Sequence, residues 1–406
     1  MEETRNKTFS LKGEKTIWTM FFCLIIVSII EMFSASSMLI MDSKGSYTSL
    51  FQRHIIHLGI GFVLTFIISN LNFRLFKMQA LMQFLWCGSF ALFIAAMALG
   101  EGYQGANRSF MGVQPIEFLK YLTIIVTTIN LAKHNKENMN PDDALKIQNI
   151  WPLVLAGLII MENMSSYILI LAVAGLLFII GRVSWKKILK FYGVYAVLGS
   201  VLLIVGYTVP MKYLEPVHLG RLKTQVNRVT NFLDNSNAEE EYDIYGENAQ
   251  IISSQVAIAR GNLWPRLPGS SFQRDHLQNA HDDFIFAIIV EELGTVATIL
   301  LVMLPYWVIL LKIGALIKRS DMPYENLIML GCGLLITLQA LIHMMVTCKI
   351  GPVTGQSLPL ISNGGSSIWA TCIGFGIIQC AAKTIQKEIK QKECNTKNEK
   401  DTQISD

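Results

Sequence analysis

The sequence predicts an all-α integral membrane protein of ten transmembrane helices, with both termini cytoplasmic and one long extracytoplasmic loop before the eighth span. Three observations predict it. Of 406 residues, 52% are hydrophobic and only 16% charged, against ~25% charged in a soluble domain. Mean hydropathy is +0.41, and apolar runs of spanning length recur along the chain. Basic residues collect on alternate loops, as they do on cytoplasmic ones. The net charge of +4 leaves no nucleic-acid footprint.

The first run, 16–41, follows Arg5, Lys7, Lys12 and Lys15. It is longer than the ~7–15 residues of a signal-peptide core, so it reads as a retained first helix. The later runs are 52–71, 79–99, 115–133, 149–164, 166–182, 188–210, 283–312, 325–348 and 366–385. Only the turn Glu162-Asn163-Met164-Ser165 separates the fifth from the sixth.

With the N-terminus inside, that side also receives Arg74 and Lys77, then Lys133, Lys136 and Lys146, then Arg182, Lys186, Lys187 and Lys190. Lys312, Lys318, Arg319 and the lysines of the C-terminal tail follow. The short opposite loops hold Lys44, Arg53, Arg108 and Lys349. Residues 1–385 thus form one polytopic domain, whose long loop covers about 211–282. Residues 386–406, polar and rich in Lys and Glu, read as a disordered cytoplasmic tail. The seven cysteines form no CxxC pair, so packing is their expected role.

The uncommon residues gather on one face. They are Gly102 to Ser109 before the fourth span, Glu162-Asn163 after the fifth, His281-Asp282-Asp283 at the end of the long loop, and Gly355 to Ser367 before the last span. Asp283 is placed at the opening of the eighth helix, where free N–H groups favour a carboxylate. Glu291 and Glu292 follow ~12 Å deeper at ~1.5 Å per residue. A carboxylate inside a span is by default functional or paired. Glu117 and Lys120, at i and i+3, can pair on one helix face, or connect to the carboxylates of the eighth span. In the long loop, Gly220 to Leu233 reads as a basic amphipathic stretch suited to the membrane interface.

The run His281-Asp282-Asp283-Phe284-Ile285-Phe286-Ala287-Ile288-Ile289-Val290-Glu291-Glu292-Leu293-Gly294 resembles the signature of the SEDS family, the shape, elongation, division and sporulation proteins. Leu358-Pro359-Leu360-Ile361-Ser362-Asn363-Gly364-Gly365-Ser366-Ser367 does so too, as do Gly105-Ala106-x-Arg108 and Gln114-Pro115-x-Glu117-x-x-Lys120. The resemblance covers nearly the whole chain. The Glu162–Ser165 turn and Gln273-Arg274 are most similar to the FtsW branch of the Bacteroidetes type. Departures are Asp282 for Thr or Ser, Ser109 for Trp, Ile116 for Ser, and Pro265 and Leu267 for glycines. The last two close the positive-φ conformations that glycine allows.

The resemblance implies a peptidoglycan glycosyltransferase that polymerises lipid II at the outer face of the cytoplasmic membrane during cell division. Its essential aspartate falls on Asp283. A sugar hydroxyl attacking an α-linked, diphosphate-activated sugar needs a positioned base, and Asp283 is the candidate. Undecaprenyl diphosphate leaves, and Arg108, Arg221 and Arg274 are the cations expected to take its charge. Gln273, Ser362, Gly364, Gly365 and Ser366 are expected beside the substrate diphosphate. Glu117, Lys120, Glu291 and Glu292 would form a supporting intramembrane network. No protein metal cage is visible, and a divalent cation, magnesium or manganese, is the one cofactor left open.

Expected partners are lipid II and undecaprenyl-diphosphate-linked glycan, a class B penicillin-binding transpeptidase, other divisome membrane proteins and membrane lipid. A lipid II flippase, or a non-catalytic scaffold that recruits the transpeptidase, are the alternative functions.

Overall fold

The computed structural model describes residues 11–35, 47–99, 101–103, 106–109, 112–136, 140–209, 223, 226–228, 230, 249–275, 277, 280–352 and 355–405. Its principal helices are α1 (Lys15–Ala35), α2 (Tyr47–Asn70), α3 (Gln79–Leu99), α4 (Pro115–Lys136), α5 (Ile147–Leu155), α6 (Met164–Ile180) and α7 (Trp185–Thr208). There follow α8 (Ala249–Arg260), α9 (Ile285–Thr298), α10 (Leu304–Ile317), α11 (Pro323–Thr347) and α12 (Gly365–Ser405).

Among the described residues, eight helices are long and apolar enough to cross a membrane. Two shorter apolar segments, Ile147–Met161 and Met164–Ile180, coincide with the fifth and sixth expected spans. The chain is a multi-pass helical membrane protein. One element departs from an all-α reading. Strands β1 (Glu101–Tyr103) and β2 (Ala106–Ser109) pair antiparallel after α3, which gives the polar, Gly-containing connector backbone partners that a helix would otherwise supply.

The bundle is centred on α4, α11 and α12. Of the spanning window of α4, 89% is buried, whereas 6% of that of α7 is. α7 therefore stands at the edge, with Leu189, Val197, Val201 and Ile204 exposed as a lipid-facing surface should be. Lipid tails are as apolar as leucine, so close contact rather than hydrophobicity holds such helices together. Small residues make it. A Cβ on Gly61 of α2 would lie 2.6 Å from Cys372 Sγ of α12, and one on Gly331 of α11 would lie 2.7 Å from Ile124 of α4. Thr65 adds a hydroxyl bond to the Cys372 carbonyl at 2.9 Å.

Two further differences from the sequence reading have clear causes. The eighth span is not one straight helix. Gly294 breaks α9 with φ 72° and ψ 167°, and a π-helical turn, Ile299–Met303, leads into α10. The backbone groups freed by the break are taken by the loop before it: Thr295 N donates to Asn262 O at 2.8 Å, and Arg266 N to Glu292 O at 2.9 Å. Secondly, residues 386–405, expected as a disordered tail, continue α12 to Ser405. Lys, Glu and Gln are good helix formers. Lys392 pairs with Glu388 one turn earlier at 2.8 Å and with Asp321 at 2.5 Å, and Arg319 reaches Glu393 at 2.8 Å.

Candidate functional site

The site lies at the bundle end away from the described termini, where α9 and α12 begin and α11 ends. α9 begins at Ile285, with Phe284 as its N-cap residue and no side-chain cap. Asp283 is therefore not the N-cap residue of that helix but stands one position before it. It sits, with Asp282, half-buried in the turn His281–Phe284, anchored by Phe284, which is wholly buried.

That turn is joined to the loop before α12. Ser362 Oγ donates to Asp282 O at 2.8 Å, and Asn363 N donates to His281 O at 3.0 Å. Ser362 Oγ also accepts from Leu358 N at 2.8 Å. The serine and asparagine of the Leu358–Ser367 motif thus hold the aspartate turn by its backbone. Ser362 and Ser366 are buried, at 2% and 6% exposure. The hydroxyl of Ser362 is committed to this internal work.

Gly364 and Gly365 serve packing at the α12 start. Ile368 N closes the first helical turn onto Gly364 O at 2.8 Å. A Cβ on Gly365 would come within 2.7 Å of His57 Cε1. On the other side of that loop, Ser28 pairs with His54 Nε2 at 2.8 Å and reaches Ile361 O at 3.5 Å.

Gln356, a residue the sequence reading did not single out, ties the same loop to a third part of the chain. Its Nε2 donates to Ser166 Oγ at 2.8 Å and Ser165 Oγ at 3.0 Å, beside Asn163, the N-cap of α6. Its backbone carbonyl accepts from His343 Nδ1 at 2.6 Å. The Glu162–Ser165 turn, Gly355–Ser367 and His281–Asp283 accordingly meet at one end, as their grouping in the sequence suggests.

Glu117 and Lys120 form the expected pair, 2.9 Å apart and buried. Lys120 Nζ also donates to Gln339 Oε1 at 3.1 Å, and Gln339 Nε2 donates to Ser357 O at 3.0 Å. The pair supports the motif loop through Gln339. It is not bonded to the carboxylates of the eighth span.

Those carboxylates, both fully buried, hold the end of the long loop instead. Glu291 accepts from Arg260 Nε at 3.1 Å, from Ser271 Oγ at 2.5 Å, and from the backbone N–H groups of Phe272 and Gln273, each at 3.2 Å. Glu292 accepts from the N–H groups of Gly269 at 3.0 Å and Ser271 at 3.1 Å, and from the Ser34 hydroxyl of α1. Each buried charge is thus met by several donors, the condition under which a buried carboxylate is tolerated.

Gln273 is buried and held by Glu291 through its backbone N–H. Arg274 is half-buried and lies close enough to Glu292 to act on its charge. Arg221 lies outside the described residues, and Arg108 is placed by its backbone alone, in β2. Among the described residues no three His, Cys, Asp or Glu side chains gather as a metal-ligand set. Burial holds the imidazole of His281 below its ordinary value of 6.5, so it is neutral beside Asp282 at neutral pH.

The cell cycle protein family of FtsW, RodA and SpoVE matches residues 14–387. The probable peptidoglycan glycosyltransferase FtsW of Coxiella burnetii is 29% identical over 357 residues, 86% of this chain and 90% of the relative. That of Escherichia coli O6:H1 is 30% identical over 76% of this chain and 72% of its own length. A chain of a peptidoglycan synthase complex that coordinates polymerization and crosslinking superposes with TM-score 0.68 at 22% identity, covering 93% of this chain and 99% of that one. The Thermus thermophilus rod shape determining protein RodA gives TM-score 0.59 at 20% identity, covering 91% and 97%. With a match that spans nearly its whole length, on the fold those structures share, the chain belongs to the FtsW/RodA/SpoVE cell cycle protein family.

Proposed function

We propose that this protein is a peptidoglycan glycosyltransferase that polymerises lipid II during cell division, with Asp283 as general base and undecaprenyl diphosphate as leaving group. The observation that carries the reading is the Asp283 turn, held at its backbone by the Ser362–Asn363 loop at one end of the bundle. The names of the relatives, probable peptidoglycan glycosyltransferases, support it.

The orientation belongs to the same proposal. The chain crosses ten times with both termini cytoplasmic, so the Asp283 end faces outward, where the lipid-linked sugar is displayed. An attacking hydroxyl with a pKa far above neutrality transfers its proton as the C–O bond forms, and a positioned carboxylate contributes typically ~10²–10⁴-fold. Attack on the α-linked donor inverts the anomeric centre and gives a β-link. Fixing the turn from behind leaves the carboxylate little reorganisation to undergo, which is how preorganisation lowers a barrier. Arg108, Arg221 and Arg274 are assigned to the leaving diphosphate.

A class B transpeptidase is the proposed partner, supported by likeness to a chain of a complex that coordinates polymerization and crosslinking. The division septum is the proposed location. The test is lipid II polymerisation in proteoliposomes by Asp283→Ala and Asp282→Ala variants. Loss of polymer with the first and retention with the second is expected. Undiminished polymerisation by a well-folded Asp283→Ala variant overturns the assignment.

A further inference from the structure

At the bundle end opposite Asp283, the residues ahead of α1, the turn after α2 and the face of α12 near Lys383 enclose a cleft of about 640 Å³. Four of its lining residues are lysines, Lys12, Lys383, Lys387 and Lys390, and none is acidic. Lys383, Lys387 and Lys390 stand at i, i+4 and i+7, so they share one face of α12.

The walls are built rather than loosely apposed. Trp18 Nε1 donates to Lys12 O at 3.0 Å, and Glu14 N donates to Gln379 Oε1 at 2.8 Å, which fixes the segment ahead of α1 against α12. Lys383 Nζ donates to Ser69 O at 2.7 Å and Leu71 O at 2.9 Å, capping the carbonyl end of α2. The Glu14 carboxylate accepts from the Gln386 amide at 2.5 Å. Lys12, Lys387 and Lys390 remain exposed, and Lys12 and Lys387 lie near enough to act on the Lys383 charge.

Like charges held together with no carboxylate in the lining favour an anion between them. The level of the cleft selects the anion. It lies where the apolar window of α1 begins at Lys15 and that of α2 ends at Asn70, which is headgroup depth for a spanning helix. Basic pockets between spanning helices on the cytoplasmic side take anionic headgroups.

We propose that this cleft binds the phosphate of an anionic phospholipid from the leaflet at the termini end, the cytoplasmic leaflet in the orientation proposed above. Lys12, Lys387 and Lys390 contact the headgroup, and Lys383 positions the wall.

The full-length chain in neutral detergent would be titrated with phosphatidylglycerol, phosphatidylcholine and inorganic phosphate, with retained lipid read by native mass spectrometry. Phosphatidylglycerol is expected to be retained over phosphatidylcholine. The Lys387→Gln/Lys390→Gln variant should bind it on the order of 10–30-fold more weakly, while Lys387→Arg/Lys390→Arg retains it. If the double variant does not fold, Lys12→Gln alone decides, with a loss of roughly fivefold expected. Equal retention of the two lipids, or unchanged binding by the glutamine variants, overturns the proposal. So does displacement of phosphatidylglycerol by inorganic phosphate at comparable concentration, which would make the cleft a site for free anions.

Discussion

The hydroxyl of Ser362 and the carbonyl of Asp282 lie 2.8 Å apart, joining the loop before α12 to the turn that carries Asp283. The residues are 80 positions apart in sequence, so this bond reports tertiary assembly of the site. Replacing Ser362 by Ala removes it and the acceptor for Leu358 N. Each lost bond contributes about 1 kcal/mol. Polymerisation by Ser362→Ala should fall roughly tenfold, in kcat more than KM, with little change in expression. Steady-state kinetics in proteoliposomes check this.

The Lys120–Glu117 pair predicts an asymmetry. Lys120→Met leaves Glu117 without its buried partner and should destabilise by about 3–5 kcal/mol. Converting both, as Glu117→Gln/Lys120→Met, should be milder, because no lone charge remains. Thermal unfolding in detergent distinguishes the two, and a double variant as damaged as the single one contradicts the pairing argument.

Glu291→Gln keeps the side-chain shape but weakens four bonds to the loop. Charge-assisted bonds are roughly twice as strong as neutral ones. Amides of Phe272 and Gln273 should exchange at least about tenfold faster, with those of α11 unchanged. Hydrogen exchange with peptide-level readout measures it.

Gly294→Ala meets two obstacles. Its φ of 72° is one L-residues rarely adopt, and the new Cβ would lie 2.7 Å from Asn262 O and the Trp264 backbone. Backbone strain of this kind costs roughly 1–3 kcal/mol, so the melting temperature should drop and the loop contacts at Asn262 and Arg266 should open. A neutral Gly294→Ala substitution refutes the close approach.

The depressed pKa of His281 sets the direction of a pH effect. With its folded value below 6.5, the unfolded state binds the proton more readily than the native turn. The turn carries no penalty above pH 6.5 and loses stability as pH falls below it. His281→Gln should flatten this acid limb of thermal stability between about pH 6.5 and 5.

The spans were legible in the sequence because the bilayer demands long apolar runs, and the ends of α3 fall on the anticipated residues, 79–99. The break at Gly294 was not. Its backbone groups are satisfied by Asn262 and Arg266, and hydropathy records no such pairing. The helical continuation over 386–405 was not legible, because Lys, Glu and Gln mark both disordered segments and solvated helices, and its contacts with Arg319 and Asp321 come from another loop. At the site, Asp283 and the Ser362–Gly365 motif stood out through family resemblance. Gln339, His343 and Gln356 did not, although polar side chains within or beside apolar runs were the available signal.

The 41 residues of α12 extend about 60 Å at ~1.5 Å per residue, twice the ~30 Å hydrocarbon thickness of a bilayer. About half of that rod therefore exceeds what a bilayer core can take up along its normal. Whatever is fused to its tip is held at arm's length from the membrane, at a bearing set by the same helix that begins beside the Asp283 turn.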